Sequence, residues 1–180
     1  LGVTHQLLVA DADEDAEALE ATRPGESPTT YVQRVTLAKL RAARERLARR
    51  GWPAAPILCA DTTVALGRSI LGKPADAADA IQMLSRLAGR SHRVISGVAL
   101  FDGRRTRLRL NISRVRFAAI SRAQIEAYVA GGEPFGKAGA YAIQSQAACW
   151  IERIEGSYTG IMGLPLFETA QLLKRLVRLR

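Results

Sequence analysis

Apolar positions recur every three or four residues through "YVQRVTLAKLRAARERL" (31–47), the period of an amphipathic helix. Ser27 can cap that helix and Pro28 can start it, since the first turn has no use for the N–H that proline lacks; Gly51 stops it. The next pattern, "APILCAD" (55–61), is a continuous apolar run, as expected of a strand covered on both faces. "LGRSIL" then reads as a tight hairpin, and a second helix begins near Asp76, with Ile81, Leu84 and Ala88 on one stripe before Gly89. "RVISGVALFDGRRTRLRL" predicts a hairpin that turns at Asp102–Gly103. On its second strand Arg105, Arg107 and Arg109 share one face, and Leu108 and Leu110 the other. The apolar parity switches at "RVRF", which predicts a bulge near Asn111–Ser113. "SRAQIEAYVAGG" is a helix with capping-box spacing between Ser121 and Gln124; "GAYAIQ" and "CWIERIEG" read as strands, and Pro165 starts a last helix. At the front, "LGVTHQLLVAD" reads as the end of a helix running into a strand, its apolar run at 6–11 leading into the acidic loop "DADEDAEALEATRPGE".

Strands alternating with helices, some of them in hairpins, make this an α/β chain with a mixed, twisted sheet and flanking helices, in one domain over 1–180. Composition agrees: 48% hydrophobic and 24% charged residues are ordinary for a soluble globular chain. No apolar run approaches the ~18–20 residues that span a bilayer, and no signal-peptide pattern opens the chain, so the expectation is a cytoplasmic protein with no membrane partner. Cys59 and Cys149 both sit in apolar runs, which predicts packed, reduced thiols. The net charge of +9 changes the picture further, because it attracts polyanions, nucleotides and nucleic acids alike. It selects none of them. With no zinc spacing of histidines and cysteines and no aromatic-rich basic stripe, no specific nucleic acid is expected.

Candidate chemistry is scattered. Asp61 follows an apolar strand and can hold a divalent cation or take a proton from water, though a strand-end aspartate can also simply cap a turn. Lys73, held between Gly72 and Pro74, is a point charge suited to a phosphate, or else a solvated turn lysine. Glu14 lies in the acidic run and Lys39 in the helix, where solvated faces explain both equally well. Gln144 ends the "GAYAIQ" stretch with an amide that both donates and accepts, and "EGSYTGIMGLPL" runs into a helix start whose N–H groups favour anions.

Taken in order, "ADT", "GKP", "EPFGKAGAYAIQ" and "GSYTGIMGLPLFET" resemble the Maf family of nucleoside triphosphate pyrophosphatases over essentially the whole chain. The resemblance implies an elongated, two-lobed, ITPase-like fold with a central cleft. It also implies hydrolysis of a nucleoside triphosphate to the monophosphate and pyrophosphate with a divalent cation, Mg²⁺ or Mn²⁺. By motif, Asp61 matches the proposed general base, while Lys39, Lys73 and Glu14 fall on the other charged active-site positions; Asp61 and Glu14 are then the metal ligands. Thr62 and Gln144 match positions linked to substrate choice, and "IQ" with "GSY" resembles the branch acting on dTTP and UTP. The alternatives are the 7-methyl-GTP branch, which carries a lysine in place of that glutamine, and a non-catalytic nucleic-acid-binding regulator of cell division. Family members are often dimers, which implies a homodimer here. Members also begin with a strand and a serine–arginine phosphate loop that would precede Leu1, so the expectation is a domain lacking both.

Overall fold

The computed structural model describes residues 1–177. Strands β1 (Ile57–Leu66), β2 (Ser69–Leu71), β3 (Ser91–Phe101), β4 (Thr106–Phe117) and β5 (Ile151–Glu155) form one sheet in the order β2-β1-β3-β4-β5. The α/β class holds, but the sheet is antiparallel throughout rather than mixed. The reason lies in the connections. The hairpin at Gly67–Arg68 reverses the chain, and helix α2 (Ala77–Leu87) then delivers β3 beside the end of β1, with Arg93 opposite Ala65. The helix thus carries the chain across β1, so β2 and β3 run parallel on opposite sides of that strand and each pairs with it antiparallel.

Helix α1 (Pro28–Arg49) covers one face of the sheet. Its N terminus is capped as expected, Thr30 N–H donating to Ser27 Oγ at 3.1 Å. The buried stripe Tyr31, Val32, Val35, Leu40 and Ala43 packs on Ile57, Ala65, Ile95 and Ala99, with Leu108 and Leu110 at its margin. The opposite face is shared. At one end α2 and α3 (Arg122–Ala130) pack on Val94, Val115 and Phe117; at the other, α5 (Leu166–Val177) sets Leu172 against Val98 and Leu100. This division explains the parity switch in β4. No bulge occurs at Asn111–Ser113, where the β3–β4 register is continuous; instead burial passes from the α1 face to the α2/α3 face along a straight strand. The one irregularity of β4 lies at Arg116/Phe117, against β5.

Three further expectations fail locally. "GAYAIQ" is not a strand: Gly139 and Ala140 have φ of 70° and 63°, a left-handed pair that turns the chain into a short 3₁₀ segment at Ala138–Ala140. Residues 6–10 form no strand either, because only Leu8 finds apolar neighbours on α1 while Leu7 and Val9 stay exposed. Cys59 is partly buried, but Cys149 is exposed on the turn Gln146–Trp150; both are free thiols.

The close approach of α1 to the sheet depends on Gly97 at the centre of β3. A Cβ there would lie 2.4 Å from Thr36 Oγ1 and 3.0 Å from Val32 Cγ1. Gly97→Ala therefore forces the helix away from the strand. The expected cost is ~1–3 kcal/mol of overpacking, at about 2–4 °C of Tm per kcal/mol for a chain of this size. Thermal unfolding of the variant measures it, and an unchanged Tm would mean that α1 is not seated as described.

Candidate active site

Opposite Gly97 on β1 stands Asp61, mid-strand rather than at a strand end. β2 pairs only with Val64–Leu66, so among the described residues Ile57–Thr63 bond to β3 alone and leave one edge of β1 free. A cleft of ≈ 390 Å³ opens along that edge. Alternation then sorts its walls: Asp61 and Thr63 point to the α1 face, and Thr62 and Val64 to the other.

On the α1 side four charged groups alternate in sign. Lys39 Nζ donates to Asp61 Oδ1 at 2.6 Å and to Glu20 Oε1 at 2.7 Å. Glu20 Oε2 lies 3.0 Å from Lys73 Nζ, which also donates to Glu17 at 3.1 Å. Lys137 also lines the cleft, its ammonium bonded to the Glu133 carbonyl. Asp61, Lys39 and Lys73, named from the sequence, are thus brought together. Glu14 is not. Its carboxylate is bound by Arg46 and Arg49, at 2.5 Å each, on the flank of α1, and does not line the cleft. Glu20, six residues on, stands in the cleft where Glu14 was expected.

Glu20 is held by its main chain. Tyr31 Oη donates to Glu20 O at 2.9 Å, and the Arg34 guanidinium donates to Leu19 O at 3.3 Å and Ala21 O at 2.8 Å. Glu26 fixes Arg34 in turn through a fork of 2.7 and 2.8 Å. Three successive carbonyls are therefore pinned to α1 around one carboxylate. Glu20 was missed in the sequence because acidic side chains crowd that loop; the usable signal was Arg34 and Glu26, each oddly placed for a solvated charge. Lys39 had a clearer one. It lies four residues after Val35 and four before Ala43, within the buried stripe.

The two carboxylates have diverging proton affinities. Burial raises the Asp61 carboxyl above its ordinary pKa, with Lys39 pulling against it and the charge of Glu20 adding to the rise. For Glu20 burial also pushes upward, but the hydrogen bonds of Lys39 and Lys73 prevail and its pKa is lowered. For Lys39, burial is outweighed by Asp61 and Glu20, so the ammonium is retained. Carboxylates driven apart in this way suit different tasks, the raised one a proton acceptor and the lowered one a fixed charge.

The other half of the cleft is uncharged: Thr62, Val64, Tyr141, Ile143, Gln144, Ile161 and Gly163 line it, with Gln144 exposed. Tyr141 Oη is 2.7 Å from Nε2 of His92, a buried ring whose pKa burial lowers to about 4 and which is therefore neutral. In the "GSYTG" loop the Ser157 N–H is taken up by Ser113 Oγ at 2.9 Å. In α4 (Tyr158–Ile161) Gly160 N–H donates to Ser157 Oγ, while the carbonyls of Gly160 and Gly163 accept from Ser96 and Thr62. A larger hollow of ≈ 650 Å³ beside Trp52 and Phe101 has Arg41 and Arg44 on its wall but gathers none of the residues above.

Asp61 and Glu20 already converge on one cation, the Lys39 ammonium. Oxygen donors of this kind suit a hard divalent ion that takes its remaining ligands from phosphate and water. Among the described residues no group of three or more His, Cys, Asp or Glu could hold a metal unaided. The described helices include none long and apolar enough to cross a membrane.

A cleft with alternating cations and carboxylates at one end and an uncharged amide- and hydroxyl-bearing end at the other is that of an enzyme handling a phosphorylated organic molecule. The chain belongs to the Maf-like protein family, whose model it matches over residues 1–176. It is similar to proteins named dTTP/UTP pyrophosphatase. That of Albidiferax ferrireducens is 62% identical over 174 residues, covering 97% of this chain and 87% of the relative. The Cupriavidus metallidurans protein has the same identity and coverage, and that of Burkholderia pseudomallei is 60% identical over 176 residues, covering 97% and 84%.

The Glu14 contact makes an acid-sensitive latch. Arg46, bonded to its carboxylate, brings the Glu14 pKa down to about 2 from an ordinary 4.5. A carboxyl with a depressed folded pKa contributes stability above its unfolded value and loses it as pH falls through the folded one. Segment 8–14 should therefore loosen from α1 between about pH 4.5 and 2. Hydrogen exchange or limited proteolysis of that segment follows it, and Glu14→Gln should show the loosened behaviour already at pH 7.

Proposed function

We propose that the chain is a nucleoside triphosphate pyrophosphatase that hydrolyses dTTP and UTP to the monophosphate and pyrophosphate. The observation that carries this is the row Lys73–Glu20–Lys39–Asp61 with its split pair of carboxylates, facing an uncharged subsite in one cleft. The names of its relatives supply the bases. Nothing in the cleft calls for a nucleic acid or a non-catalytic role.

In this reading Asp61 takes a proton from water as the water oxygen bonds to the α-phosphorus. The α–β anhydride P–O bond breaks, and its electron pair leaves on pyrophosphate. A base raised toward neutrality by burial takes that proton more readily than an ordinary aspartate. Lys39 and Lys73 lie beside the carboxylates, where they offset charge that grows on the phosphate oxygens. Glu20 and Asp61 would hold the divalent ion, Mg²⁺ or Mn²⁺, which supplies Lewis-acid polarisation of the phosphoryl group. Lys137, which lines the same cleft, offers a third ammonium. Gln144 and Thr62 meet the base, and the neutral His92 keeps Tyr141, next to that loop, in place. Its substrate pool places the enzyme in the cytoplasm.

Pyrophosphate release from UTP, dTTP, CTP, GTP and 7-methyl-GTP with Mg²⁺ tests the reading. UTP and dTTP should lead; a preference for 7-methyl-GTP, or no release at all, overturns it. Asp61→Asn should lose about 10²–10⁴-fold in kcat, the usual worth of a general base. Glu20→Gln should raise the Mg²⁺ concentration for half-maximal rate at least tenfold, whereas Glu14→Gln at pH 7 should leave it within a few fold. The opposite ranking of the two glutamates would return the metal role to Glu14.

A further inference from the structure

We infer that Ser96, a residue outside the cleft, sets the hydrogen-bond polarity of Thr62 and thereby makes the uncharged subsite select a base with a ring N–H, as in uracil and thymine, over cytosine. The inference rests on the proposed pyrimidine specificity and adds the device that enforces it.

Hydrogen counting carries the argument. Ser96 is 0% exposed and lies on β3 opposite Thr62 of β1, on the face turned away from α1. Its Oγ is 2.6 Å from the carbonyl oxygen of Gly160 and 2.6 Å from Thr62 Oγ1. A carbonyl can only accept, so the single hydroxyl hydrogen of Ser96 is committed to Gly160 O. At 2.6 Å from Ser96 the Thr62 oxygen must then supply the hydrogen between them, since two lone pairs cannot face each other at that distance. Gly163 O, at 3.4 Å, is a second and more distant acceptor for that hydrogen. Thr62 therefore turns its hydrogen inward and presents lone pairs to the cleft it lines. A threonine hydroxyl, ordinarily free to donate or accept, is made an acceptor.

The position of that acceptor gives it meaning. The charged end of the cleft accounts for phosphates, so the base lies at the Thr62–Gln144 end. The Gln144 amide is exposed and can turn to offer its oxygen or its NH₂, so it suits several base edges. Thr62 cannot adapt. At N3, uracil and thymine carry a hydrogen, whereas cytosine carries a lone pair, which would meet the lone pairs of Thr62. Discrimination of this kind is strong because the mismatched partner leaves polar groups unpaired.

The experiment compares kcat/KM for UTP, dTTP and CTP in the parent, Ser96→Ala and Thr62→Val, alongside the thermal unfolding of each. In Ser96→Ala the Thr62 hydrogen is released and can turn toward cytosine N3, so the UTP:CTP ratio should fall at least tenfold, with CTP turnover rising. In Thr62→Val the acceptor is lost, so UTP should fall at least tenfold while CTP stays within a few fold. Loss of UTP and CTP in equal proportion in Ser96→Ala would make Ser96 merely structural and overturn the inference. A selective fall for CTP in Thr62→Val would mean that Thr62 donates, and would overturn it equally. Should Ser96→Ala not fold, Thr62→Val decides alone. A parent that does not prefer UTP and dTTP to CTP overturns the specificity reading itself, and the inference with it.

Discussion

The site depends on one close contact, α1 lying against β3 over a glycine. Without side-chain bulk at Gly97, Thr36 and Val32 sit directly on the strand, with Thr36 Oγ1 bonded back to Val32 O at 2.7 Å. That depth of seating lets Lys39, one turn on, reach Asp61 on the neighbouring strand at 2.6 Å. Tyr31 and Arg34, one turn and less back, reach the loop that carries Glu20. The same helix face thus supplies the apolar stripe that binds the sheet and the polar tips that organise the charges.

Much of this was legible in the sequence, and the failures share a cause. The helices, the two hairpins, the caps at Ser27 and Ser121 and the charged positions Asp61, Lys39 and Lys73 follow from period, turn chemistry and motif. The errors came where a local pattern was completed by distant partners. β4 was expected to bulge at Asn111–Ser113 because its apolar parity switches, yet its register with β3 is continuous there and the layers above and below it change. "GAYAIQ" has strand-like residues, but Gly139 packs where a Cβ would lie 2.8 Å from Val64, and the backbone turns to fit. Asp61 was expected at a strand end by analogy with parallel sheets; in an antiparallel sheet with a short β2 an open edge does the same service mid-strand.

Glu14 shows the same limit in electrostatic form. A loop with so many carboxylates gives no local reason to prefer one over another. The choice is made by α1, whose Arg46 and Arg49 claim Glu14 and whose Lys39 claims Glu20. Arg46 continues the buried stripe and is itself buried, so the latch and the site are built on one row of residues a few turns apart.

The grip on Leu19, Glu20 and Ala21 has an implication for how this loop can vary. Arg34 and Tyr31 take hold of carbonyl oxygens, which every amino acid provides, and none of their bonds there depends on the side chains of residues 19 and 21. Only the carboxylate between them is specified chemically. Substitutions on either side leave the handles in place, and a change of loop length between the Arg46 latch and this grip can be absorbed in the intervening exposed turns. A hold on the main chain thus separates the geometry of the site from the spelling of the loop that delivers it.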